Sequence, residues 1–146
     1  MNMTTKSRQF PYEEELRKSA VERFLRYVVI DTTSKDEADD IPSTPGQFTL
    51  ARLLEKELKA LGVKDVRLDK NCYIYATIPA SHVAGADKAP PVGFISHVDT
   101  SPAVSGNHVK PLVHHNYKGG DIKLPGDKTQ ILKVAIYFAV KPWGSA

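Results

Sequence analysis

The chain has 146 residues, of which 41% are hydrophobic and 25% charged, a composition typical of a soluble globular domain. Its formal net charge is +3, and its basic and acidic residues are interspersed, so nucleic acid is a poor candidate partner. One cysteine, Cys72, excludes an internal disulfide, and no apolar run reaches the roughly 18 residues of a membrane span. We therefore expect a cytoplasmic protein that has no membrane partner.

The first predicted element is a helix over residues 13–29. Its apolar residues recur at spacings of three and four, which places them on one face that we expect to be buried. These residues are Val21, Phe24, Leu25 and Val28. The polar, turn-rich residues 31–44 that follow predict a loop.

A second helix is predicted from Pro45, which suits the first helical position. Thr44 is placed to cap this helix, and Gln47 is spaced to complete a capping box with it. Gly62 marks its end. The expected buried stripe is formed by Leu50, Leu54, Leu58 and Leu61, with Leu53 beside it.

After Gly62 the sequence pattern changes to that of strands. We predict strands over 63–68 ("VKDVRL"), 72–78 ("CYIYATI") and 92–96 ("VGFIS"). Two helices followed by three strands predict an α/β fold in which the helices pack on a mixed β-sheet. Residues 100–130 lack clear periodicity.

The third predicted strand ends in His97 and Asp99. In an extended segment, residues two apart point to the same side, so both side chains can face one cavity. A metal-bound imidazole commonly donates its other N–H to a carboxylate, which fixes the tautomer of the ring. This pattern predicts that His97 is a metal ligand oriented by Asp99, although the residue types alone also fit a solvated or core histidine.

The sequence around this pair, "GFISHVDTSPAVSGNHVKPLVHHNYKGGDIKL", closely resembles that of the peptidase T family. Members of this family are tripeptide aminopeptidases and belong to the two-zinc exopeptidases. The stretches "VERFLRYVVIDTTS", "PSTPGQFTLARLLEKELKALGV" and "DKNCYIYATIPA" resemble the same family in the same order. The resemblance covers about residues 10–129. It implies that the chain is the N-terminal part of a zinc-exopeptidase catalytic domain.

The resemblance also implies roles for two residues. His97 matches the first metal-binding histidine of the family, and Asp99 matches the acidic residue that is catalytic there and steadies the imidazole. The implied cofactor is zinc, two ions per site, and the implied substrate is a tripeptide. The family's other metal ligands, its general-base glutamate and its lid or dimerisation domain have no matching positions here, so the family's homodimer contacts are expected to be missing.

From Gln130 onward the sequence departs from the family. We therefore expect two regions: residues 1–129, the N-terminal part of the catalytic domain, and residues 130–146, a divergent apolar tail. A truncated or frame-shifted product would explain this departure, and we expect the chain to be inactive alone. The alternatives are a related dipeptidase or deacylase of the same superfamily, or a non-catalytic fragment that binds a partner.

Overall fold

The computed structural model describes residues 11–133. They divide into two compact units, and the division along the chain falls between Pro111 and Leu112. The helices are α1 (Glu13–Tyr27), α2 (Pro45–Ala60) and a short 3-10 helix (Ala86–Lys88), and the strands are β1 (Lys64–Leu68), β2 (Ile74–Thr77), β3 (Ile122–Lys123) and β4 (Ile131–Leu132). None of the helices among these residues has the length and apolarity to cross a membrane.

Helix α1 begins and ends within two residues of the predicted bounds, but its apolar face is not buried. No residue of α1 is buried, and Val21 and Phe24 are exposed. The polar side chains of its last two turns instead contact α2. Arg23 and the Tyr27 hydroxyl hydrogen-bond Glu57, and Arg26 donates to Glu57 Oε1 at 2.8 Å.

Helix α2 begins at Pro45, as predicted, but the predicted capping box is wrong. Thr44 makes no side-chain cap, because its hydroxyl donates to the carbonyl oxygen of Thr33 at 2.8 Å. Gln47 is buried, and its amide donates to the Ser43 and Thr44 hydroxyls. The leucine stripe is buried at Leu50 and becomes exposed at the far end of α2, where Leu61 lies on the surface.

Strands β1 and β2 form an antiparallel hairpin with a register irregularity between Lys64 and Arg67. Asp69 shapes the connecting turn, because its Oδ1 accepts hydrogen bonds from the backbone N–H groups of Asn71 and Tyr73, each at 2.9 Å. Helix α2 packs on both strands. This arrangement agrees with an α/β class at the coarse level.

The predicted third strand, residues 92–96, is not a strand. Among residues 11–133 it finds no partner for a ladder, so the mixed sheet does not form. The nearest backbone pairing is an isolated parallel bridge between Thr33 and Thr100, downstream of this segment. A strand is defined by its neighbours, and the described part of the chain supplies none here.

The second unit contains a small hairpin that the sequence reading did not predict. Strands β3 and β4 pair antiparallel, with Ile122 opposite Leu132. Asp127 shapes the turn between them, since its Oδ1 accepts hydrogen bonds from the Thr129 backbone and hydroxyl. These hydrogen bonds lower the pKa of the Asp127 carboxyl. The predicted tail starts in this hairpin, and residues 134–146 lie outside the described range.

Candidate metal centre

His97 and Asp99 contact each other. His97 Nδ1 lies 2.9 Å from the Asp99 backbone oxygen and 3.1 Å from Asp99 Oδ1. Both oxygens are acceptors when the carboxyl is ionised, so Nδ1 carries the proton and the lone pair of the neutral ring lies on Nε2. The His97 side chain is 82% exposed and that of Asp99 is 45% exposed. Nε2 can therefore receive a metal ion.

The chain directly after this pair is tied to the loop between α1 and α2. Thr100 donates its backbone N–H to the Thr32 oxygen at 3.1 Å, and its own oxygen accepts from the Ser34 backbone N–H at 2.9 Å. Six residues later, Gly106 donates its N–H to the Thr33 hydroxyl at 2.9 Å. We name this arrangement of residues 31–34 with Thr100 and Gly106 the threonine clasp.

Asp31 completes the clasp from within the loop. Its Oδ1 accepts hydrogen bonds from the hydroxyl of Thr33 at 2.6 Å and from the Thr33 backbone N–H at 3.0 Å. These two bonds, together with a weaker effect of His108, hold the pKa of the Asp31 carboxyl below its ordinary value. An ionised acceptor orients the Thr33 hydroxyl, so that the hydroxyl's lone pair faces Gly106.

Two glycines allow the clasp to close. A Cβ added to Gly46, in the first turn of α2, would lie 1.8 Å from the backbone oxygen of Asp31. A Cβ added to Gly106 would lie 2.8 Å from the Thr33 hydroxyl and 3.0 Å from Asp31 Oδ1. The 1.8 Å and 2.8 Å distances are shorter than non-bonded contacts allow and the 3.0 Å distance is tight, so the close approach at both positions depends on the missing side chains.

The His97–Asp99 pair lies on the wall of an open concavity of about 1640 Å³ within the first unit. This volume exceeds the roughly 300–1,000 Å³ of a typical small-ligand pocket. Phe94 and Ile95 line it beside the pair. Val28, directly after α1, lines it as well, and so do apolar side chains of α2 and β2: Leu50, Leu54, Leu58 and Ile74.

The residues of this site supply one atom suited to bind zinc, Nε2 of His97. The Nε2 atom of an oriented, exposed imidazole is a good zinc ligand, but a catalytic zinc needs about three protein ligands. Within residues 11–133, no group of three or more His, Cys, Asp or Glu side chains is arranged to hold a metal ion. The other four histidines are His82, His108, His114 and His115.

The clasp was not predicted from the sequence, which indicated only a polar loop over residues 31–44. A local signal was present, because Asp followed two residues later by Thr is typical of side-chain-to-backbone turns. Nothing local indicated that Thr33 would contact Gly106, which lies 73 residues further along the chain.

No family model matches the chain. Curated proteins named peptidase T do match it. Peptidase T of Alkaliphilus oremlandii is 52% identical over 116 residues, that of Desulfitobacterium hafniense 48% over 117, and that of Geobacillus sp. 43% over 128. These alignments cover 79%, 80% and 87% of this chain, and 28% of each relative. The resemblance is thus confirmed: this chain is similar in sequence to peptidase T over most of its length, and it spans about 28% of the length of those relatives.

Proposed function

We propose that this chain contributes a metal-binding histidine, His97, and its orienting carboxylate, Asp99, to a zinc-dependent tripeptide aminopeptidase. Two facts support this. The chain shares about half its aligned residues with peptidase T of Alkaliphilus oremlandii. The observation that carries the proposal is the hydrogen bond from His97 Nδ1 to Asp99, which leaves Nε2 free for a metal.

Bound zinc would supply an activated water and would polarise the scissile carbonyl. The roles of the chain's own residues are narrower. His97 holds one coordination position, and Asp99 fixes the ring tautomer and raises the basicity of Nε2. The remaining ligands and a carboxylate that moves the proton are not grouped with His97 among the described residues. We therefore propose that this chain alone does not hydrolyse tripeptides.

An activity assay tests the second part. The purified 146-residue chain, with added zinc and a tripeptide, should show no turnover above the zinc-only blank. The peptidase T of Alkaliphilus oremlandii serves as the positive control. Stoichiometric zinc binding with robust turnover by this chain would contradict the proposed incompleteness.

A metal titration tests the first part independently of activity. In nitrogen-detected NMR spectra, added zinc should shift Nε2 of His97 before the other imidazoles, and H97Q should remove that response. H82Q, which changes another exposed histidine, should leave it intact. D99N should weaken the response by about tenfold, because loss of an orienting partner typically costs 10- to 100-fold in metal affinity. Equal shifts at all five histidines would refute the assignment.

The tripeptide substrate and the loss of the family's homodimer contacts are predictions from the resemblance, and the cytoplasmic location is a prediction from the sequence. A dipeptidase or deacylase of the same superfamily is the main alternative. Substrate selection resides in parts of the site that His97 and Asp99 do not form, so only a completed site can be screened with tripeptides, dipeptides and acylated amino acids.

A further inference from the structure

The peptide group between Asp99 and Thr100 connects the candidate metal ligand to the threonine clasp. Its carbonyl oxygen, which belongs to Asp99, lies 2.9 Å from His97 Nδ1. Its N–H, which belongs to Thr100, donates to the Thr32 backbone oxygen at 3.1 Å. A trans peptide group is planar, so its oxygen and its N–H point in opposite directions. The hydrogen bond to Thr32 therefore restrains the direction in which the Asp99 oxygen faces the imidazole.

The Asp99 backbone oxygen is a different kind of acceptor from the carboxylate of the same residue. Asp99 Oδ1 lies 3.1 Å from His97 Nδ1, but this side chain is 45% exposed and can rotate about its own bonds. A carbonyl oxygen accepts at every pH and moves only with the backbone. The hydrogen bond that one ring nitrogen makes decides which nitrogen carries the proton. A fixed carbonyl thus keeps the proton on Nδ1 even when the carboxylate turns away.

The loop between α1 and α2 holds Thr100 from both sides. The Thr100 oxygen accepts hydrogen bonds from the Ser34 backbone N–H at 2.9 Å and from the Ser34 hydroxyl at 3.0 Å. Thr32, which accepts the Thr100 N–H, is only 3% exposed. Hydrogen bonds sheltered from water in this way are electrostatically stronger than exposed ones. The orientation of the peptide group therefore depends on the position of the loop.

Thr33 holds the loop in place, because it contacts the chain in three directions. Its hydroxyl donates to Asp31 Oδ1 at 2.6 Å and accepts the Gly106 N–H at 2.9 Å. Its backbone oxygen accepts the Thr44 hydroxyl at 2.8 Å, directly before α2. Loss of the Thr33 hydroxyl would therefore loosen the loop residues on either side of it, which are the residues that bind Thr100.

We propose that Thr33 and Asp31 are positioning residues for His97, which act through the peptide group between Asp99 and Thr100. The hydrogen bonds of the imidazole run to Asp99, so Thr33 and Asp31 influence the ring only through the backbone. They keep the proton on Nδ1 and thereby present an unprotonated Nε2. This inference rests on the proposed function for the use of Nε2 as a ligand, whereas the tautomer itself requires no metal.

The first test measures the tautomer of His97 in the full chain without metal. Nitrogen-detected NMR at about pH 8.5, where an ordinary imidazole is neutral, should show the proton on Nδ1 in the unchanged chain. In T33V the Nδ1 and Nε2 shifts should move toward each other, because the ring then exchanges between tautomers. T33S keeps the hydroxyl and should restore the original shifts. D31N keeps an uncharged oxygen acceptor and should cause a smaller change in the same direction as T33V.

E57Q is the control for a general loss of stability. Glu57 accepts hydrogen bonds from Arg23, Arg26 and the Tyr27 hydroxyl, so it links α1 to α2 and lies outside the threonine clasp. E57Q should lower the urea midpoint of unfolding and leave the nitrogen shifts of His97 unchanged. Equal changes of these shifts in E57Q and T33V, or a T33S variant that behaves like T33V, would overturn the proposal.

A measurement on the unchanged chain covers the case in which T33V does not fold. A scalar coupling between the Thr100 nitrogen and the Thr32 carbonyl carbon should report the hydrogen bond between them. The Thr100 amide should also exchange at least about tenfold more slowly than that of Ile95, which makes no backbone hydrogen bond among residues 11–133. Absence of the coupling, or a proton on Nε2 in place of Nδ1, would overturn the proposal.

Added zinc separates this inference from the proposed function. T33V should weaken zinc binding at His97 by about threefold, less than the roughly 10- to 100-fold typical of a direct orienting partner, and T33S and E57Q should leave it unchanged. A tautomer change in T33V, without any zinc response at His97 in the unchanged chain, would refute the metal assignment and leave the positioning standing. Equal zinc affinity of T33V and the unchanged chain, with a response at His97 in both, would do the reverse.

Discussion

The two halves of the segment around His97 and Asp99 are held in opposite ways. After Asp99, the chain is fixed at Thr100 and Gly106 by hydrogen bonds to residues 32–34. Before His97, residues 92–96 contact little, and Phe94 and Ile95 project into solvent. The candidate metal ligand lies where these two halves join.

This difference shows which interactions are complete within the described chain. The clasp needs only short polar side chains and backbone groups from two nearby loops, and both loops are present. The apolar half is paired with no strand among residues 11–133, so Phe94 and Ile95 gain little from hydrophobic burial, which is roughly proportional to the area covered. The candidate metal ligand, His97, is fixed only from one side: it keeps its local geometry with Asp99, while its surroundings remain open.

The largest expected effect comes from preventing the clasp from closing. In G46A the new Cβ would lie 1.8 Å from the Asp31 backbone oxygen, so α2 and the loop must separate. Overpacking of this kind typically costs 1–3 kcal/mol, and we expect the free energy of unfolding to fall by about 2 kcal/mol or more. This loss occurs although alanine is intrinsically favoured in helices. Urea unfolding followed by circular dichroism measures it.

The matched control lies in the unsupported half of the segment. A Cβ on Gly93 meets nothing within 4 Å, and Gly93 is not among the positive-φ residues. G93A should therefore change the free energy of unfolding by less than about 0.5 kcal/mol. Similar losses in G46A and G93A would mean that the two halves do not differ in the way described.

The elements that depend on local signals could be predicted from the sequence. Pro45 set the start of α2, and the bounds of α1 and of the β1–β2 hairpin were predicted to within a few residues. The contact between His97 and Asp99 follows from their spacing of two residues, which suffices to bring both groups together. Each of these features is decided by residues close in the sequence.

The remaining features depend on residues far apart. The sequence of residues 92–96 is that of a buried strand, but only a neighbouring strand makes it one. Phe24 lies on the apolar stripe of α1, yet α1 contacts α2 through Arg23, Arg26 and Glu57. The clasp joins Thr33 to Gly106, and no local pattern encodes that pairing.

A smaller effect is expected from removing the central hydroxyl of the clasp. T33V keeps the size of the side chain but loses the donor to Asp31 and the acceptor for the Gly106 N–H. We expect a loss of about 1–2 kcal/mol in the free energy of unfolding, since two hydrogen bonds that each contribute roughly 0.5–1.5 kcal/mol are lost. Faster amide exchange at Gly106 should accompany it. T33S retains the hydroxyl and should remain near the unchanged protein, so equal losses in T33V and T33S would exclude the hydroxyl as the cause.

The smallest effect concerns the charge that orients this hydroxyl. Hydrogen bonds from Thr33 lower the pKa of Asp31 from its ordinary value of 3.8, so the ionised carboxylate stabilises the fold above that pH. This stabilisation is lost as the pH falls through the lowered pKa. D31N keeps an oxygen acceptor but cannot ionise, so its deficit in the free energy of unfolding should be largest near neutral pH and should shrink in strong acid. Glu57 and Asp127 also have lowered pKa values, but they titrate in both proteins and cancel in the difference. Urea unfolding of D31N and of the unchanged protein, from about pH 7 to about pH 2, measures this difference. If the deficit of D31N in the free energy of unfolding stays constant over that range, the charge of Asp31 does not support the clasp.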